Sequence, residues 1–368
     1  MTAALWSDVD DDGWVDLLVA CEWGPVSVFR NRAGRRFEDA TAQFGFASGG
    51  TGWWRALAAA DFNGDGQLDY AAGNTGLNTR YRATPEQPAL LYAGVAVGGS
   101  APQLVEAQAE NGVYYPLRDR DTLAKLFPTA LRPFPTAEAY SRAKLEDIFP
   151  ADALAAATKR AVTELRNGVF LSQPDGTWKF TPLPPRAQLA PMTAFAAGDF
   201  DGDGHADLLA AGNTFTPTME TSRFDGALGW LLRGDGRGGL APVPVAESGF
   251  VVPGEARALV GTDFDADGWP DFLVTQHGER PLFFRNHGRA GGHSFAVVLR
   301  GAVTVGARLT LALGDGTSQV LEAGSGPVFF GWPDGNPPAR LKIRWPDGRV
   351  SEQTFTAPPA KLLTITAP

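Results

Sequence analysis

One acidic pattern occurs four times in this chain: Asp at position 1, Asp or Asn at 3, Asp at 5, Gly at 6 and Asp at 9. The copies run from Asp8 to Asp16, Asp61 to Asp69, Asp199 to Asp207 and Asp263 to Asp271. This spacing sets carboxylates at alternate steps of a tight loop, and Gly13, Gly66, Gly204 and Gly268 let the backbone turn around a small centre. Two carboxylates about 4 Å apart repel by about 4 kcal/mol at an effective dielectric near 20, and each loop gathers three or four. A divalent cation removes that penalty.

All-oxygen donors without His or Cys thiolates favour a hard ion, and several carboxylates in a flexible loop suit Ca²⁺ better than the strictly octahedral Mg²⁺. The predicted donors are Asp8, Asp10, Asp12 and Asp16; Asp61, Asn63, Asp65 and Asp69; Asp199, Asp201, Asp203 and Asp207; and Asp263, Asp265, Asp267 and Asp271. By analogy with other calcium loops, the position-7 carbonyls of Trp14, Gln67, His205 and Trp269 complete the sets, for up to four ions. A set of merely polar Asp-Gly turns would account for one such loop but not for four in register. An EF-hand would end in Glu at position 12 and run into a helix. Here position 12 is Val19, Ala72, Ala210 or Val274, inside short apolar runs that read as buried strands. The ion is therefore expected in a strand-to-strand turn.

Composition agrees. Gly (44) and Pro (28) are frequent enough to punctuate many short strands, and 368 residues suffice for two domains. The net charge of -9 is matched by the demand of the acidic loops for metal, and no basic stripe for nucleic acid occurs. Cys21, the only cysteine, is expected to be a buried inert thiol, and no apolar run reaches membrane-spanning length. Residues 1–7 carry no export signal although weak calcium loops usually work outside the cytosol. A fragment or mature form of a secreted, cell-surface or periplasmic protein is expected.

Around each loop a longer unit recurs: an apolar strand, the acidic turn, a second strand, then a hairpin such as Val26–Arg30 with Arg36–Asp39, or Val169–Ser172 with Trp178–Thr181. Four strands per repeat is the plan of a propeller blade. The first aspartates of successive loops stand 53, 138 and 64 residues apart. The middle gap is therefore read as holding a further blade, with strands at Leu90–Ala93 and Gln103–Glu106, whose metal site is lost. It also holds a helical insertion at about 112–166, where Leu154, Ala157, Ala161 and Leu165 fall at helical spacing and Thr136 caps an earlier helix. Two or three short helices are expected, as a flap on the rim or a lid for a partner.

The loops and their flanking strands resemble FG-GAP/VCBS repeats, the calcium-loop blades of integrin heads and of many exported bacterial proteins. Residues 293–368 resemble the ASPIC/UnbV module of proteins similar to cartilage acidic protein, through Ser294–Gly301, Val305–Leu311 and Arg344–Gly348. The tail is shortened between Gly326 and Gly331 relative to that module, and four or five blades are fewer than the usual seven. The expectation is an all-β chain: a partial β-propeller over 1–288 with a helical insertion, followed by a small β-sandwich or barrel over 293–368. Alternating apolar residues and hairpin turns at Asp315-Gly316, Asp334-Gly335 and Asp347-Gly348 support the latter.

The blade face opposite the acidic turns is expected to carry Trp23, Trp53, Trp54, Arg55, Asn74, Asn78, Asn213 and His277. Trp, Arg and Asn suit an extracellular glycan or protein surface. The alternative for Trp53 or Trp54 is a plug between blades. A calcium-dependent polysaccharide lyase drawing on Arg55, Tyr81, Arg82 and His277 is the competing reading. No Ser/His/Asp, Cys/His or clustered-His arrangement supports it, so a non-catalytic recognition or adhesion protein is expected.

Overall fold

A computed structural model describes residues 1–218 and 222–368. Four antiparallel sheets follow one another, each with an acidic loop joining its first two strands. The first blade is Ala3–Ser7, Asp16–Ala20, Val26–Asn31 and Phe37–Asp39, in that spatial order. The second is Ala56–Ala60, Asp69–Gly73, Gly168–Ser172 and Trp178–Pro182. The third is Met192–Gly198, Asp207–Gly212, Trp230–Gly234 and Leu240–Pro242, and the fourth has three strands, Ala256–Thr262, Asp271–Gln276 and Leu282–Phe284.

The innermost strands lie side by side in chain order, first against second, second against third, third against fourth. The result is an open arc of blades, a partial propeller. Small residues allow this approach: Ala56, Ala58 and Ala60 line one inner strand, and Ala194 the next. Asp69–Gly73 and Asp207–Gly212 are buried along their whole length because blades cover them on both sides, which is why they read as continuous apolar runs. A methyl group on Gly73 would lie 2.3 Å from the Met192 carbonyl oxygen, and one on Gly212 1.7 Å from that of Pro191. Only glycine fits at these two crossings.

The middle of the chain departs from expectation. Ala89–Val95, Gln103–Glu110, Val113–Pro116 and Thr158–Val162 form one sheet, with the last of them paired to the first. That order is not a blade meander, and the whole unit is inserted between the second and third strands of the second blade. The hairpin at 168–182 therefore completes the second blade. Four short helices occupy the insertion, Arg120–Leu126, Ala137–Ser141, Leu145–Ile148 and Ala151–Ala156, and Thr136 caps the second, its Oγ1 accepting from the Ala139 N–H at 3.1 Å. The helical stripe expected through Ala157, Ala161 and Leu165 breaks at Ala156. Beyond it, Thr158–Val162 finds five register partners on the open edge of Ala89–Ala93, and strand pairing overrides a four-residue spacing. The insertion has its own apolar core, including Leu90, Val105, Leu123, Phe127, Ile148 and Phe149.

The tail has two layers. Val328–Pro333, Gly292–Arg300 and Leu362–Thr366 form one sheet, the last strand parallel to its neighbour. Ser318–Glu322, Arg308–Leu313, Pro338–Arg344 and Val350–Thr354 form the other, which meets the inner strand of the second blade through the pair Leu321 and Ala60. The turns at Asp315-Gly316 and Asp347-Gly348 close hairpins as expected, but Asp334-Gly335 crosses from one layer to the other. Phe295, Leu309, Leu311, Phe330 and Trp345 share one apolar cluster with Ala58, Phe62, Leu208 and Ala210 of the blades. Cys21 is half-buried, because it sits between two strands and not within one.

Phe330 is fully buried in this common core. Phe330→Ala is expected to cost about 3–5 kcal/mol, read as a lower denaturation midpoint, with tail and blade signals shifting together.

Candidate metal centre

The four loops repeat one hydrogen-bond scheme. The position-6 glycine N–H donates to the first carboxylate: Gly13 to Asp8 (2.9 Å), Gly66 to Asp61 (2.8 Å), Gly204 to Asp199 (2.7 Å) and Gly268 to Asp263 (3.0 Å). The position-7 N–H of Trp14, Gln67, His205 and Trp269 donates to the position-5 carboxylate of Asp12, Asp65, Asp203 and Asp267 at 2.7–3.0 Å. The ninth residue spans the sheet. One oxygen of Asp16, Asp69, Asp207 and Asp271 accepts from the position-2 N–H at 2.8–3.1 Å. The other accepts at or just past the end of the third strand, from the N–H of Asn31 (2.7 Å), Ser172 (2.7 Å), Gly234 (2.9 Å) and Asn286 (3.0 Å).

With the backbone so held, three loops gather carboxylates that could hold a metal. Oxygens of Asp8, Asp10 and Asp16, of Asp199, Asp201 and Asp203, and of Asp263, Asp265 and Asp271 lie within 4.8 Å of one another in each group. The Oδ1 atoms of Asp8, Asp10 and Asp201 are buried without a hydrogen-bond partner, an arrangement that a bound cation would satisfy. The second loop differs from the expected fourth site. Asn63 replaces the acid at position 3, and Asp65 accepts from Asn63 Nδ2 (3.0 Å) and Ser172 Oγ (2.6 Å), so its oxygens are spent within the protein. Asp12, Asp207 and Asp267 likewise stand outside the three groups. Asp12 turns to Arg30 and Asp207 is used by the backbone, while Asp267 accepts from Trp269 beside Arg285.

Burial makes these carboxylates expensive to ionise without a partner. It pushes Asp8 and Asp61 up to about 6, and Asp16 and Asp69 up to about 7. Asp199 reaches about 8 through burial and then the neighbouring Asp203, and Asp207 is held well above the usual range by burial and Asp199.

Arginines share the loops, and the sequence reading missed them. Each Asp at position 3 has its own: Arg30 to Asp10 (2.5 Å), Arg233 to Asp201 (2.7 Å), and Arg285 to Asp265. Each arginine directly precedes the residue that binds the ninth aspartate. The second blade, with Asn63 at position 3, has Leu171 there. The tripeptide Phe-Arg-Asn at 29–31 and 284–286 is the sequence trace of this pairing. From the tail side, Arg344 reaches Asp8 (2.6 Å) and Asp11 (2.5 Å), Arg308 reaches Asp11, and Gln319 lies 3.5 Å from Asp199. The tail thus packs over the acidic turns. A cleft of about 610 Å³ between the third and fourth blades, lined by Phe250, Phe284, Arg233, Arg289 and Asp201, leaves a path to the third cluster.

The face opposite the loops is largely closed. Trp54 is fully buried against Phe170 and Phe180, and Trp53 is buried with Tyr81 and the half-buried Trp23 under the insertion. Both tryptophans fill core and do not present a surface. Asn74 and Asn213 are buried too. Asn74 accepts from the Trp53 N–H (3.1 Å) and donates to the Glu164 carbonyl (2.9 Å), while Asn213 donates to the Ala227 carbonyl (2.8 Å). The repeated Ala-Gly-Asn-Thr therefore braces the strand crossings. Arg55 is held by Glu22 (2.9 Å) and Thr214 (3.2 Å), leaving Asn78 and His277 as the exposed members. Tyr81 donates to Glu106 (3.2 Å), and burial keeps its phenol protonated.

Residues 8–72 and 152–210 match the family model described as FG-GAP-like repeat, so the chain carries FG-GAP-like repeats. No curated protein matches. Among solved structures, the V. cholerae biofilm matrix protein Bap1 is similar at 11% identity and a TM-score of 0.25. The alignment covers 97% of this chain and 59% of that one, and a likeness of this size carries no argument about function.

Asp69 is fully buried and accepts from Phe62, Asn63 and Ser172. Asp69→Ala strands those donors and is expected to destabilise by about 3 kcal/mol or more in chemical denaturation, with or without added metal.

Proposed function

We propose that this is a non-catalytic, calcium-binding, extracellular recognition or adhesion protein, with Ca²⁺ in the first, third and fourth loops stabilising the blades. The observation that carries the reading is the set of three carboxylate groups on FG-GAP-like repeats, two of them with buried, unpaired oxygens. Only hard oxygen donors are offered, three carboxylates to a group, which suits Ca²⁺. Such repeats favour an extracellular setting, and no described helix is long and apolar enough to cross a membrane. The tail is read as ASPIC/UnbV-like, and the ligand as an extracellular glycan or protein. Against the lyase reading stands Tyr81, whose proton is committed to Glu106.

The arginine beside each position-3 aspartate supplies positive charge when metal is scarce. Calcium is thus a stabiliser that exchanges, and the fold does not collapse without it. An ion bound only by the folded loop adds about 2.7 kcal/mol at a hundredfold excess over Kd. Calcium-loaded protein is expected to melt higher than protein in EDTA, and Asp201→Ala to lose part of that increment. Coincident melting curves with and without calcium would refute the metal reading.

The pH dependence has a definite sign. Asp16, Asp69 and Asp199 have folded-state values raised to about 7, 7 and 8, above the ordinary 3.8. Their contribution favours the folded state below about pH 4 and is lost as pH rises through 7 to 8. Metal-free protein should therefore be more stable at pH 5.5 than at pH 8.5. Calcium requires the ionised carboxylates, so its increment in melting temperature should be larger at pH 8.5. Calorimetry at the two pH values checks both statements.

A further inference from the structure

Position 4 of every acidic loop is left-handed: φ is 62° at Asp11, 74° at Gly64, 75° at Gly202 and 58° at Ala266. Glycine suits this conformation, and a branched polar side chain there needs a reason. Asp11 is not among the gathered metal donors. Its carboxylate instead enters a cleft of about 220 Å³ lined by Gly66, Arg308, Thr310, Lys342 and Arg344. Arg308 and Arg344 both bond its Oδ1, and Arg344 also donates to its backbone carbonyl at 2.9 Å.

The cleft follows from strand register. Arg308 stands opposite Arg344, and Thr310 opposite Lys342, so all four project from one face of the tail sheet. Leu309, Leu311, Leu341 and Ile343, on the other face, are buried. Lys342 is exposed and makes no ion pair among the described residues. Glu322, the cross-strand neighbour of Arg308, does not line the cleft. Two guanidinium groups thus close on one carboxylate, with Lys342, which stands opposite Glu352 in register, lining the same cleft.

We propose that this cleft binds the carboxylate of an acidic sugar, and that Asp11 occupies its anion position until such a ligand displaces it. The Asp11 carboxylate displays the chemistry the site accepts, a planar oxyanion held by two guanidinium groups. The cleft is smaller than the roughly 300 Å³ lower bound of drug-sized pockets, which suits a single ring. It has no aromatic or aliphatic lining to anchor a protein partner. Thr310 offers a hydroxyl to a sugar hydroxyl, and Lys342 a free ammonium to a second oxygen.

The inference deepens the recognition reading above and rests on it. The test is titration calorimetry of the full chain, in calcium, with a hyaluronan hexasaccharide and with the same hexasaccharide after reduction of its carboxylates to alcohols. If Asp11 fills the site about nine-tenths of the time, Asp11→Gly tightens hexasaccharide binding about tenfold, since the apparent Kd scales with the free fraction. Lys342→Gln should weaken binding severalfold in either background with an unchanged melting temperature, and the reduced sugar should not bind. Equal affinity of Asp11→Gly and wild type, indifference to Lys342→Gln, or equal binding of the reduced sugar would each overturn the proposal. So would Lys342-dependent binding of an oligo-aspartate peptide with no binding of the hexasaccharide. Hexasaccharide binding that ignores Lys342 sinks the cleft alone, whereas absent calcium stabilisation sinks the metal reading and leaves the Asp11→Gly comparison standing.

Discussion

In every blade one carboxylate, the ninth of the loop, bonds the start of its own turn with one oxygen and the chain at or just past the end of the third strand with the other. These bonds hold each loop in a fixed shape on a fixed place in the sheet. The remaining aspartates converge because the backbone beneath them is held in the same hydrogen-bond scheme in each loop. Backbone amides aimed at both oxygens offset part of the cost of burying such an acid.

The same arrangement creates an electrostatic difficulty that arginines relieve in part. Arg30, Arg233 and Arg285 approach the position-3 aspartates from the third strands, and Arg308 and Arg344 approach the first loop from the tail. The buried oxygens of Asp8, Asp10 and Asp201 stay unpaired beside these arginines. Fixed guanidinium charge keeps the acids tolerable, and the oxygens it leaves unpaired are the ones a metal ion could take up. In the second blade Asn63 and Leu171 replace the acid and its arginine together.

The loops, their flanking strands and the all-β arc were legible in the sequence because their determinants are local and repeated in register. The Thr136 cap was legible for the same reason. What escaped is long-range. The hairpin at 168–182 looks alike whether it opens a new repeat or completes one begun at Ala56, and only strand pairing decides. Asn74 and Asn213 look like surface side chains until the strand crossings cover them, whereas the plug reading for Trp53 and Trp54 needed only their bulk. Arg308 and Arg344 alternate with core leucines in a way that marks a strand face but not what that face meets. The arginine and position-3 acid pairing was visible in the chain, as Phe-Arg-Asn at 29–31 and 284–286, and needed the repeats to be aligned beyond the loop itself.

The insertion also bears on the order in which the chain can assemble. Gly73 and Gly168 end up close, on neighbouring strands of one sheet, yet the intervening polypeptide is long. Closing a flexible span of that length opposes pairing through lost chain entropy. The insertion carries an apolar core of its own, so its collapse brings its two ends together before the outer strands of the second blade arrive. On a ribosome the second blade would wait, half made, until that embedded unit had brought its ends together.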